Sequence, residues 1–210
     1  MSKKEMPLGA LSDFLPEGSF DEVAGFLHRY KVHLTITRAR KSVLGDYRNA
    51  VAGSMHRISV NGNLNKYAFL ITLLHELAHL LTFEKYGHRV NAHGVEWKRE
   101  FGDLLRQFLT GNVFPADVRA AVMRSLERPS ASSCADTVLT KVLYRYDMRP
   151  EGVCLVEEVP EGALFRIPGG RIFRRGEIIR KRYKCAQIPD GQVYLFSPVY
   201  EVMLIESIGR

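Results

Sequence analysis

The chain has 210 residues, 46% of them hydrophobic and 25% charged, with a net charge of +7. That balance supplies a sizeable core and argues against wholesale disorder; the positive excess suits a polyanionic partner but carries no information about fold. Three scattered cysteines (Cys134, Cys154 and Cys185) form no CxxC pair, which excludes a disulfide framework and a cysteine-rich zinc finger and suits a reducing cytoplasm. The charged opening "MSKKEMPLGALSDF" lacks the apolar run of a secretory signal. The longest apolar stretch, 68–83, is too short for a bilayer, so no membrane partner is expected.

In chain order, Ser19 and Glu22 have capping-box spacing, and Phe20, Val23, Ala24 and Leu27 recur at helical intervals, predicting a helix over about 19–30. "VHLTITRAR" and "HRISVN" alternate as strands do, with "LGDYR" between them and Gly45-Asp46 as turn chemistry. Asn63 or Asn65 can then cap an apolar helix that runs to about Tyr86, where Gly87 is placed to stop it. A second amphipathic helix spans about 95–109, with Trp97, Phe101, Leu104, Leu105 and Phe108 on one side. "FPADVRAAVMRSLER" reads as a further short helix. "RPSASSCAD" has the composition of a linker. Beyond it the runs "VLTKVLY", "GVCLVEEV", "ALFRI", "RIFRRG", "IIRKRYKC", "QVYLF" and "YEVMLIE" predict closely spaced strands of a small barrel or sandwich. The expected organisation is α+β: a core over 1–127, a linker over 128–139, and a small β-rich basic module over 140–210.

Within the apolar helix stand His75, Glu76 and His79. Burying a carboxylate and two imidazoles without partners is costly, so something must satisfy them. His75-Glu-Leu-Ala-His79 is an HExxH motif, whose imidazoles share one helix face and can bind one ion. Glu76 beside them has the position of a general acid and base for hydrolysis. A catalytic zinc takes a third protein ligand. The metzincin pattern would need Gly at 82 and His at 85, where this chain has Thr82 and Lys85. Glu84, His88, His93, Glu96 and Glu100 remain as candidates, and spacing alone favours neither His88 nor His93. His56 and Tyr47 lie in the entry region without an assigned role.

"TLLHELAHLLTFEKYG…HGVEWK" resembles the SprT-like domain of the Spartan and SprT zinc metalloproteases, over about residues 20–110. In that family a strand and an HExxH helix precede an HG-x-x-(W/F) segment whose histidine is the third ligand. The resemblance therefore implies a zincin-like metalloprotease core with His75, His79 and His93 on one Zn2+ and Glu76 as the catalytic base. It also implies a protein or peptide substrate, with DNA-associated or DNA-crosslinked proteins as the class. "GDYR", "HRISVN" and Leu64-Asn65 resemble the family's entry strands. The family's C-terminal zinc ribbon needs paired cysteines that this chain lacks, so no second zinc is expected.

"GRIFRRGEIIRKRYKC" gathers Arg171, Arg174, Arg175, Arg180, Lys181, Arg182 and Lys184 against Glu177, with Phe173 and Tyr183 interleaved. On two adjoining strands such a face suits phosphates and unstacked bases, making DNA a candidate partner without sequence specificity. A nucleic-acid-binding module with a purely structural zinc is the competing expectation.

Overall fold

The computed structural model describes residues 7–40, 43–51, 53–127 and 136–205. It divides the chain into two units, residues 1–147 and 148–210. In the first, a 3-10 segment (Leu8–Phe14) leads into α1 (Phe20–Arg29), β1 (Val32–Thr37), β2 (Gly45–Arg48) and β3 (His56–Asn61). Four helices follow: α2 (Lys66–Tyr86), α3 (Val95–Leu109), α4 (Ala116–Glu127) and α5 (Thr137–Tyr144).

Helix α2 is the centre of this unit. The Asn65 side chain accepts from Tyr67 N at 3.1 Å and Ala68 N at 3.0 Å, which satisfies two of the donors a helix start leaves open. At the other end Gly87 takes φ +60, a left-handed value that suits glycine and stops the helix. Between the caps every residue from Phe69 to Ala78 is buried, so this stretch of α2 is internal, with no solvent face. The apolar side of α3, including Trp97, Leu104, Leu105 and Phe108, joins α2, α1 and β3 in one core.

The sheet has the order β1-β3-β2. β1 runs parallel to β3 from Val32↔His56 to Thr37↔Asn61, and β2 runs antiparallel from Gly45↔Val60 to Arg48↔Arg57. The expected turn at Gly45-Asp46 is thus an edge strand. Its composition is poor for a strand, but the ladder to β3 overrides local preference. The expected capping box at Ser19 is also absent: the Ser19 backbone is helical, and its hydroxyl donates to Pro16 O at 2.7 Å instead.

"VLTKVLY", expected as a strand, is helix α5. Asp136 accepts from Val138 N and Leu139 N, each at 3.0 Å, and Leu139 and Val142 then enter the first unit's core. Of the expected linker, residues 128–135 lie outside the described residues. Asp136 caps α5, and Thr137 to Leu139 begin it.

The second unit comprises β4 (Val153–Leu155), β5 (Leu164–Arg166), β6 (Ile172–Ile179), β7 (Arg182–Ile188), β8 (Val193–Phe196) and β9 (Glu201–Ile205). They form one antiparallel sheet in the order β4-β9-β5-β6-β7-β8. Phe165, Phe173, Cys185, Phe196 and Val202 pack one face over Val156 and Val159. The β6–β7 register shifts between Arg175 and Ile178, and the hairpin turns at Arg180-Lys181. Among the described residues no helix is long and apolar enough to cross a membrane.

Candidate metal centre

His75 and His79 lie one turn apart on α2, and α3 begins at Val95, just beyond His93. His93 takes φ +66, a left-handed backbone that a residue with a Cβ adopts at a cost. Gly94 N donates to Asn91 O at 2.9 Å, closing the turn that carries this strained residue. The outcome is a triangle of Nε2 atoms: His75–His79 at 3.3 Å, His79–His93 at 3.1 Å and His93–His75 at 3.2 Å. Among the described residues this trio is a group whose ligand atoms can hold a metal ion.

The electrostatics match the geometry. Burial, with the neighbouring imidazoles adding to it, pushes the His75 pKa down to about 3. Burial and His93 push His79 down to about 4, and burial lowers His93 as well. All three rings are therefore neutral near pH 7. Three neutral imidazoles with converging Nε2 atoms present lone pairs to one point, an arrangement that calls for a cation. Nitrogens around a tetrahedral zinc at about 2.0–2.1 Å stand about 3.3–3.4 Å apart, close to the spacing here. The donor set fits zinc. With Nε2 facing inward the proton sits on Nδ1, and His75 Nδ1 is buried with no hydrogen-bond partner among the described residues.

Trp97 forms the wall of the centre. Its ring centroid lies 4.6 Å from that of His75, 5.3 Å from His79 and 4.7 Å from His93, and Phe101 stacks behind it at 5.0 Å. Glu76 is 6% exposed. Burial and then Asp46 push its pKa up to about 8, while Arg40 pulls the other way.

The other candidate ligands have different partners. Glu84 Oε1 is 3.3 Å from His56 Nε2, and Glu100 binds Lys85 Nζ at 2.6 Å. His88 sits edge-on to Phe83 at 5.1 Å between ring centroids. Glu96 is at the start of α3. The structure thus brings His93 to His75 and His79, and leaves His88 apart.

One arrangement escaped the sequence reading. Tyr47 Oη lies 2.9 Å from His56 Nδ1, and Ala50 N donates to the same nitrogen at 3.3 Å. A nitrogen that receives a backbone N–H is an acceptor, so Tyr47 donates to it and His56 Nε2–H faces Glu84. The Tyr47 ring also stands parallel to that of His79, 4° between planes and 6.4 Å apart. Residues 47, 56, 79 and 84 carry no shared sequence signal, because the contact crosses three elements.

In the second unit, Arg174, Arg180, Lys181, Arg182 and Lys184 are exposed. Arg175 is not with them: its side chain is 15% exposed, with its guanidinium 4.3 Å from the Tyr183 ring centroid. Phe173, read as an aromatic contact for bases, is fully buried in the core. Strand alternation explains both, since 173, 175, 183 and 185 share the packed face through the pairs Phe173↔Gln187, Arg175↔Cys185 and Ile178↔Tyr183.

No curated protein and no solved structure matched the chain. The model of the SprT-like family matches residues 19–115, the span that holds α1, all three strands of the small sheet, and the helices that carry or flank the three histidines. The family is generally one of zinc metalloproteases, which points to metalloprotease-type chemistry. The similarity to the SprT-like family thus covers residues 19–115, a little under half of the chain.

Proposed function

We propose that the first unit is a zinc-dependent endopeptidase with a zincin-like core. The observation that carries this reading is the triangle of His75, His79 and His93 Nε2 atoms at 3.1–3.3 Å, with the buried Glu76 next to His75 in sequence. Zinc held by the three histidines would supply Lewis acidity to a peptide carbonyl and to water. Glu76 accepts a proton from the attacking water on its carboxylate and returns it to the leaving amine. Its pKa, raised by burial, makes it a stronger base than a solvated carboxylate, and a dication nearby draws the value back toward neutrality. Strand β2 pairs with β3 on one side and is the end strand of its sheet, so an extended peptide can add to its other side. Trp97, itself buried, packs against the imidazoles with Phe101 stacked on it and shields them from water.

Glu76→Gln tests the assignment. Cleavage of an unfolded protein substrate should fall by about 10²–10⁴-fold while one zinc stays bound. Unchanged cleavage refutes the role of Glu76.

The second unit supports nucleic acid as a partner, and DNA-associated proteins as substrates. Five exposed cations (Arg174, Arg180, Lys181, Arg182 and Lys184) lie on one hairpin with Glu177 as its acid. Each phosphate contact contributes about 0.9 to the salt slope on duplex DNA, so serine at 180, 181 and 182 should flatten the slope by about 2–3. An unchanged slope removes the hairpin from the interface. Should the wild-type protein bind DNA in this salt-dependent way and cleave nothing, the binding module with structural zinc becomes the better reading.

A further inference from the structure

We infer that Gly45 is a positioning residue for Glu76, resting on the reading of Glu76 as the base. Gly45 opens the edge strand β2, in register with Val60 of β3. A Cβ built on it would stand 2.5 Å from Glu76 Oε1, 2.8 Å from Glu76 Cγ and 2.9 Å from Thr72 Cγ2. Real Cβ atoms do not approach other atoms that closely, so the carboxylate occupies space that any other residue would fill.

The glycine is not explained by backbone conformation. Gly45 is absent from the positive-φ glycines and lies in a regular antiparallel ladder, where alanine is ordinarily tolerated and reduces the freedom of the unfolded chain. What forbids a side chain is chiefly Glu76, two of whose atoms lie nearer than Thr72 Cγ2. The backbone of β2 acts as a flat stop against which the carboxylate rests, holding Glu76 between the helix that carries the histidines and the strand edge that a peptide would join. Adding one methyl group at this point pushes the base out of register without touching a metal ligand.

The test is a cycle of Gly45→Ala and Glu76→Ala, each read in two ways. In the native background, Gly45→Ala should keep one zinc per chain by equilibrium dialysis. Its kcat should fall by about 100-fold, as expected for a base displaced by about 1 Å, with KM changed less than about threefold. In chelated protein, Gly45→Ala should lower the urea midpoint more when Glu76 is present than in the Glu76→Ala background. The Thr72 contact is common to both backgrounds and cancels in the difference. If Gly45→Ala alone does not fold, the double variant should fold, because the obstacle has been removed. The inference is overturned if the midpoint falls equally in both backgrounds, if the double variant also fails to fold, or if kcat is unchanged. Persistent cleavage by Glu76→Gln instead sinks the base assignment, whatever the stability cycle shows about the contact.

Discussion

Replacing Trp97 with alanine separates two contributions of one side chain. The indole is 1% exposed, and it touches all three histidine rings and Phe101. Truncating a buried tryptophan costs about 3–5 kcal/mol through lost transfer energy and the cavity left behind. Its Nε1 has no hydrogen-bond partner among the described residues, so no bond is lost and the lower end, about 3 kcal/mol, is expected. In the chelated protein this should appear as a fall of about 6–12 °C in the melting temperature, at about 2–4 °C per kcal/mol. The second contribution is to the metal. Without the wall the imidazoles gain rotational freedom, and ligand-orienting contacts of this kind are worth about 10–100-fold in metal affinity. The increment in stability from a fixed excess of zinc should therefore shrink by about 1.4–2.7 kcal/mol. Urea titrations with chelator and with zinc read the two effects separately. A chelated-state loss below about 1 kcal/mol, or an undiminished zinc increment, refutes the packing argument. Trp97→Phe, which keeps a ring and removes the unpaired donor, should recover most of both.

Three further outcomes follow from the geometry. His93→Ala should lose zinc in a stoichiometry measurement while His88→Ala keeps one equivalent, and the reverse pattern would displace His93 as the third ligand. Asn65→Ala removes a cap acceptor and also a donor to Leu143 O at 3.0 Å and Asp147 Oδ1 at 2.6 Å; a loss of about 2 kcal/mol is expected in urea, with zinc binding intact, and a loss under about 0.5 kcal/mol contradicts it. The stability of the chelated protein should peak near pH 6.5. Below that value the unfolded chain protonates His75 and His79, ordinarily at 6.5, while the folded chain holds them neutral down to about 3 and about 4. This outweighs the single proton that folded Glu76 retains above its ordinary 4.5. Between 6.5 and about 8 that Glu76 proton alone remains, so the folded state binds more protons and stability falls as pH rises. A urea midpoint that climbs steadily from about pH 5 to about pH 8.5 would contradict this.

What the sequence disclosed were the features written into consecutive residues. The caps of α2, the paired histidines and the apolar side of α3 are local patterns, and each lies where periodicity predicts. Apart from the capping box at Ser19, whose hydroxyl turns to the nearby Pro16 carbonyl, the failures involve partners distant in the chain. β2 is a strand because β3 offers it a ladder, not because Gly45 to Arg48 favour extension. "VLTKVLY" alternates as a strand would, yet Leu139, Val142, Leu143 and Tyr146 also recur at helical spacing, and burial against the first unit's core decides between them. The choice of His93 over His88 depends on the path of the turn after α2, including a left-handed residue that nothing in the sequence marks. The basic segment was legible as charge, but which cations reach solvent depended on the register of β6 and β7.

The hydrogen bonds from Asn65 to Leu143 and Asp147 bear on where the histidine-bearing fragment can be cut. A fragment ended at residue 127, where the sequence suggests the core is complete, would lose α5 and both acceptors of the Asn65 amide group. It would also bare the core surface that Leu139 and Val142 cover. The shortest piece that keeps the histidine-bearing helix anchored at its start therefore runs to Asp147, some thirty residues past the family match that ends at 115.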